Sequence, residues 1–381
     1  MVPPKASSRF IILLSFIMLG SLTNPCKGEH GGGRGEAGDA GRGVFVFGSS
    51  LVDNGNNNFL PEPGVRADYA PYGLDFPAGP SGRFSNGKNP VDALAELLKL
   101  PGRVPPFLDP TTTGDRILHG VNYASGGSGI LDETRPTRGT VISLNQQISN
   151  FERVTLPQLT TQLGRHGGRH SAELHKYLFV VGTGGNDYLL NYYLGGVANT
   201  VSLQDFTALL TSTFVSQLKK LHGLGARKFV LLSVQPIGCV PVVKALLHAA
   251  NGSCVEAINE AALLFNRNLS SLVDNMGQQM PGSHLVYVNS YTIITDIIQN
   301  PTQRGFTETS LGCCETSPTN GNGVLCKKEG RVCEDRHAYV FFDGLHPTEA
   351  VNLRIAEKAY GSPRKDEAYP INVKQLLRRG L

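Results

Sequence analysis

Charge is scarce in this 381-residue chain and close to balanced: charged residues are 17%, with 35 Lys and Arg against 31 Asp and Glu, where about 25% charged is usual. Without a basic surplus there is no electrostatic footprint for nucleic acid. Tryptophan is absent, and neither a Gly-X-Y period nor heptads occur, which excludes a collagen and a coiled coil. Long apolar runs are missing too. The one candidate, Ile11 to Leu22, is about 12 residues where a membrane span needs roughly 20, so a multi-span membrane protein is excluded. No cysteine spacing reads as a zinc ribbon or finger, and no dinucleotide fingerprint follows a strand. Glycine, by contrast, is abundant at 45 residues, with 23 prolines, so loops and tight turns should be frequent.

Lys5 and Arg9 precede the short apolar run, the order of a secretory signal peptide. We expect a leader over residues 1–28, whose removal takes Lys5, Arg9 and Lys27 and with them three of the four net positive charges. The mature surface is then nearly neutral. Cys26 lies at the edge of the leader, leaving Cys239, Cys254, Cys313, Cys314, Cys326 and Cys333 as an even set, which in an exported chain suggests disulfides. Fifteen pairings are possible. Adjacent Cys313 and Cys314 should take different partners, and Cys239 with Cys254 would close a short loop. Asn251-Gly-Ser and Asn268-Leu-Ser are N-glycosylation sequons, so N-glycans are possible partners at Asn251 and Asn268.

Residues 29–43 are glycine-rich with almost no bulky apolar side chain, which predicts a flexible linker. From Val44 to Leu381 no charge-rich or Pro-rich break and no repeat occurs, so one domain is expected. Val44–Phe47, Tyr177–Val181, Lys228–Ser233 and His284–Val288 read as buried parallel strands. Helices should fall between them: from an Asn89 cap and Pro90 to about Leu100, from about Leu203 to Leu221, from a capping box at Ser253 and Glu256 to about Met280, and from Pro347 to Tyr360. The pattern is α/β, a parallel sheet sandwiched by helices.

The strand starting at Val44 runs into Gly48-Ser-Ser-Leu-Val-Asp-Asn-Gly-Asn-Asn-Asn58, releasing two serines where open α/β sheets place ligand sites. A nucleophilic serine needs a base, and the base an orienting carboxylate. Tyr339-Val-Phe-Phe-Asp-Gly-Leu-His-Pro-Thr348 offers both: a tight turn can set the Asp343 carboxylate against one imidazole nitrogen of His346 and leave the other free. His166 and His170, in a Gly/Arg-rich stretch, read as solvated loop residues. Two glycine-rich words, Val121-Asn-Tyr-Ala-Ser-Gly-Gly-Ser-Gly129 and Val180-Val-Gly-Thr-Gly-Gly-Asn-Asp187, supply backbone N–H groups and an Asn amide of the kind that stabilises an oxyanion.

Together these words resemble the SGNH/GDSL hydrolase superfamily, in the spelling of its plant extracellular GDSL esterase/lipase branch. Gly82-Arg-Phe-Ser-Asn-Gly87 and Gly312-Cys-Cys314 are similar as well, and the likeness runs from Val44 to Tyr360. It implies a three-layer α/β/α sandwich with a central, mostly parallel five-stranded sheet of flavodoxin-like type. It implies Ser50 as nucleophile, His346 as base oriented by Asp343, and an oxyanion hole from the N–H groups of Ser50 and Gly126 and the side chain of Asn186. The doubled glycine leaves Gly127 as the alternative to Gly126. The activity implied is a secreted, extracellular ester hydrolase (apoplast or cell wall) acting on small-molecule acyl esters of lipid or acylated cell-wall type through an acyl-enzyme, without metal or organic cofactor, nucleic-acid partner or stable membrane anchor.

The signature departs from the family at one place: Gly-Asp-Ser-Leu stands here as Gly48-Ser49-Ser50-Leu51. The lost carboxylate is not a triad member. Two alternatives follow from the same site, an acyltransferase that replaces water by an alcohol, and a catalytically weak module that binds lipid or glycan because of Ser49. Gly82 to Asn89 is nearly a P-loop, but no strand precedes it and Asn89 stands where Ser or Thr would hold Mg²⁺, so a turn is expected.

Overall fold

The computed structural model describes residues 42–165, 174–249, 252–317 and 323–379. The expected leader, the linker up to residue 41, His166, His170 and Asn251 lie outside them.

Among the described residues seven strands follow in chain order: β1 (Gly43–Gly48), β2 (Tyr177–Gly182), β3 (Lys228–Leu232), β4 (His284–Val288), β5 (Glu308–Gly312), β6 (Tyr339–Phe341) and β7 (Ala368–Tyr369). The main sheet has the order β1-β2-β3-β4-β7. Its first four strands are parallel and in register, Gly48 beside Gly182 and Leu232 beside Val288, while β7 closes the far edge antiparallel to β4. Every residue of β1, β2 and β3 is buried. Helices cover both faces of a parallel sheet, so these strands read as continuous apolar runs and not as alternation. The helices Pro90–Leu97 and Ser290–Gln299 each pack on Glu349–Gly361, and Leu144–Asn150 and Glu256–Gln279 each pack on Leu203–Gly223 as a second group. The architecture is the three-layer α/β/α sandwich. Among the described residues no helix is long and apolar enough to cross a membrane.

Local chemistry explains most boundaries. Asn89 caps its helix by accepting the N–H groups of Val91 and Asp92 at 3.0 Å, and Asp92 bonds back to Asn89 N–H. Ser202 caps the helix Leu203–Gly223 through Asp205 N–H. The capping box expected at Ser253 and Glu256 does not form: the helix Glu256–Gln279 starts behind Val255 with no side-chain cap. Cys254 is tied to Cys239 and Val255 N–H donates to Gly238, which commits the chain ahead of the helix. The last long helix begins at Glu349 and not at Pro347, because Phe342 N–H donates to His346 O and Thr348 N–H to Val340 O, folding 346–348 back on β6.

The sheet extends beyond β1 in a way the pattern did not announce. Residues 119–125 run beside it in parallel: Val44 and Val46 donate to His119 and Val121 at 3.0 Å, and Tyr123 and Ser125 donate to Val46 and Gly48 at 2.8 and 3.0 Å. Three chain segments therefore end side by side, at Gly48, Gly182 and Ser125. The disulfides are Cys239–Cys254, Cys313–Cys333 and Cys314–Cys326, so the adjacent cysteines do take different partners.

Candidate active site

Gly48 ends β1 with φ at +140°, and a Cβ there would lie 2.1 Å from the Gly182 carbonyl oxygen. Only glycine allows this approach. Ser49 N–H then donates to that same carbonyl at 3.0 Å, and Ser50 opens a single 3₁₀ turn, Ser50–Val52. Gln147 clamps the strand end from below, its Oε1 accepting Gly48 N–H at 2.8 Å and its Nε2 donating to Gly48 O at 2.9 Å. The serine is thus held on a backbone fixed from two sides.

The imidazole that meets it comes 296 residues later. After β6, Asp343 Oδ1 accepts the backbone N–H groups of Leu345 and His346 at 2.8 and 2.7 Å, which makes the tight turn. The same turn brings His346 Nδ1 to 3.0 and 2.8 Å from Asp343 Oδ1 and Oδ2. His346 Nε2 faces Ser50 Oγ at 2.8 Å. Asp343 is fully buried and His346 is 4% exposed. An Nδ1 proton held by the carboxylate leaves Nε2 as acceptor for the Ser50 hydroxyl, the arrangement that activates a serine. The structure brings Ser50, His346 and Asp343 together.

Donors for an oxyanion are distributed less simply. Ser50 N–H, in the first turn of its 3₁₀ segment, has no acceptor among the described residues. Asn186 follows β2 and lines the same cleft as Ser50 and His346; its Nδ2 gives one hydrogen to Ser128 O at 2.9 Å and keeps a second. Gly126 N–H, the third donor expected, is engaged by Asp53 Oδ2 at 2.9 Å. The neighbouring Gly127, with φ at +87°, makes no backbone hydrogen bond through its N–H among the described residues.

Two buried carboxylates bracket this loop. Asp53 accepts Gly55 and Asn56 N–H on Oδ1 at 2.7 and 2.9 Å and Gly126 N–H on Oδ2. Asp187 accepts Ile130 and Leu131 N–H at 2.8 and 3.0 Å and the Thr134 hydroxyl at 2.7 Å. Burial pushes each up to about 6, against which their N–H donors pull down. The cleft between the strand ends is small, about 50 Å³, and is lined by Ser50, Asn186, Leu189, Val234, Ile237 and His346 among others. Drug-sized ligands occupy roughly 300–1,000 Å³.

Several supports escaped the sequence reading. Phe84 lies tilted against the His346 ring with centroids 4.9 Å apart, and Arg83 pairs with buried Asp92 at 2.5 Å; the near-P-loop word is therefore a scaffold beside His346, with its arginine already paired. Tyr72 donates to Asp343 Oδ2 at 2.6 Å. Of the sequons, Asn268 lies within the helix Glu256–Gln279, and its Nδ2 donates to Thr211 at 3.1 Å. Among the described residues no group of His, Cys, Asp and Glu is arranged to hold a metal ion.

The model of a family described as GDSL-like lipase/acylhydrolase matches residues 44–359. Three GDSL esterase/lipases of Arabidopsis thaliana are similar over most of both chains. Two are 42% identical, over 337 residues (87% of this chain, 88% of the relative) and 336 residues (87% and 90%). The third is 43% identical over 342 residues (88% and 87%).

Proposed function

The chain belongs to the GDSL-like lipase/acylhydrolase family, and from that premise we propose that it is a secreted serine ester hydrolase with Ser50, His346 and Asp343 as its catalytic residues. The family makes it a hydrolase acting on esters; the residues, the substrates and the export are our reading. The observation that carries it is the 2.8 Å contact of Ser50 Oγ with His346 Nε2, itself backed by Asp343. His346 takes the Ser50 proton as Oγ attacks the ester carbonyl. The oxyanion rests on Ser50 N–H, the free Asn186 Nδ2 hydrogen and Gly127 N–H, which replaces Gly126 as the third donor. His346 then protonates the leaving alcohol, and water repeats the sequence on the acyl-enzyme to release the acid.

Ser49 does not weaken this reading, since its side chain holds no member of the triad and its backbone N–H goes to Gly182. The substrates are acyl esters of lipid or acylated cell-wall type, and the small cleft favours a short acyl group. Residues 1–28 act as the export signal, and the glycine-rich linker to one catalytic domain ends before Arg42, whose N–H already bonds Lys176, and Gly43, the first residue of β1. Fluorophosphonate labelling tests the centre: the probe should modify Ser50, and Ser50→Ala should lose both the label and p-nitrophenyl ester turnover. An unlabelled wild-type protein that still binds acylated ligand would establish the binding module instead, and an acyl product on an added alcohol would establish the transferase.

A further inference from the structure

We propose that Tyr72 is a positioning residue for the Asp343–His346 pair and that it couples this pair to the Cys314–Cys326 disulfide. The inference rests on the reading of that pair as the base. Tyr72 is fully buried, its ring wedged edge-on against Tyr69, Phe84 and Phe342 with centroids 5.4 to 6.0 Å away. Its phenolic oxygen accepts the backbone N–H of Cys326 at 3.1 Å and lies 2.6 Å from Asp343 Oδ2. An N–H can only donate, so that contact uses an oxygen lone pair and leaves the phenolic proton for the carboxylate. Burial, reinforced by the Asp343 charge, pushes the phenol well above its ordinary range, so the proton stays in place as a donor.

Asp343 is thereby saturated. Oδ1 takes the N–H groups of Leu345 and His346, and Oδ2 is shared between His346 Nδ1 and Tyr72. A carboxylate with all its directions filled cannot swing, and the imidazole it holds is aimed with it. The other end of the relay is covalent. Cys326 is bonded to Cys314, its carbonyl accepts the Tyr69 hydroxyl at 2.8 Å, and Cys314 N–H donates to Phe342 O at 2.8 Å, one residue before Asp343. The disulfide thus grips the Asp343 turn twice, through the backbone at Phe342 and through Tyr72 at the carboxylate.

Tyr72→Phe keeps the ring and deletes the relay. The low-field proton resonance of His346 Nδ1–H should move further downfield, because Oδ2 regains the charge it shared with the phenol. Ester turnover should show kcat falling about tenfold, as for the loss of one hydrogen bond to a charged group, with KM within about twofold. Replacing both cysteines (Cys314→Ser with Cys326→Ser) should lower kcat in the wild-type background and lower it by a smaller factor in the Tyr72→Phe background, where only the Cys314 contact with Phe342 is left to lose. An unmoved resonance in Tyr72→Phe, or losses from the two changes that multiply independently, overturns the proposal. Should the double cysteine variant not fold, the resonance decides alone. A wild-type protein that turns over no ester would defeat the esterase reading while leaving the resonance test intact.

Discussion

Asp53 and Gly126 are 73 positions apart in sequence, yet the buried carboxylate of one accepts the backbone N–H of the other at 2.9 Å. Asp53 sits three residues after Ser50, so this bond ties the Ser50 turn to the loop of Gly126 and Gly127, which carries the proposed third oxyanion donor. All three of its contacts, with Gly55, Asn56 and Gly126, are N–H groups. Asp53→Asn must set an NH₂ against one of them. We expect kcat to fall about 10²-fold with KM within about twofold, since small misplacement at a reacting centre costs on that order. Steady-state kinetics on a soluble ester decides it: an unchanged kcat removes Asp53 from the positioning of the loop.

The same burial gives a pH signature of stability. Asp53 and Asp187 are raised by desolvation to about 6, above the ordinary carboxylate. A folded-state pKa above the unfolded one means that the native protein binds the proton more tightly. The stabilising contribution is then present at low pH and is lost as pH rises through about 6. Asp53→Asn lacks this contribution, so the Tm gap between wild type and variant should be wider at pH 5 than at pH 7. Thermal unfolding at the two values checks it, and a gap that narrows toward pH 5 contradicts the assignment.

The parallel core was readable because its strands are uninterrupted: Val44–Phe47 and Tyr177–Val181 are apolar throughout and are buried on both faces. Residues 119–125 were not, since Gly120 and Asn122 break the run and its partnering depends on β1. β7, two residues long, carries no periodic signal. At the site, Ser50, Asp343 and His346 stand in words whose chemistry is local, a strand end and a tight turn. The donor of the oxyanion loop was ambiguous between Gly126 and Gly127, because what separates them is a bond to a distant carboxylate, Asp53. Tyr72 was missed for a similar reason: its partners, Asp343 and Cys326, are 271 and 254 positions away, and nothing in the words around it marks a tyrosine that points into a site.

The Cys239–Cys254 bond closes a loop with a sequence separation of 15, for which chain entropy alone is worth about 3 kcal/mol. It also holds the segment ahead of the helix Glu256–Gln279, where no side-chain cap is formed. Replacing both cysteines by serine should therefore lower unfolding free energy by about that amount or more, measured by denaturant titration under conditions that keep the other two disulfides oxidised. A loss below ~1 kcal/mol would show that the loop is already ordered in the unfolded chain or that the helix start needs no tether.

In the proposed mechanism Asn186 is the one side-chain donor to the oxyanion. Its Nδ2 already gives one hydrogen to Ser128 O, which orients the amide and leaves the second hydrogen directed by the same plane. Asn186→Ala removes that hydrogen and also leaves the Ser128 carbonyl without it, so stability and chemistry are both touched and have to be separated. The chemical part should dominate: kcat falling about 10²–10³-fold, the usual cost of one oxyanion donor, against a KM that changes little because a ground-state carbonyl gains less from the same group. Fluorophosphonate labelling of Ser50 should slow in parallel, since its tetrahedral adduct also builds negative charge on oxygen. A variant that labels and turns over at wild-type rates, with only its melting temperature lowered, would reduce Asn186 to a support for the Ser128 turn and leave the oxyanion to backbone N–H groups alone.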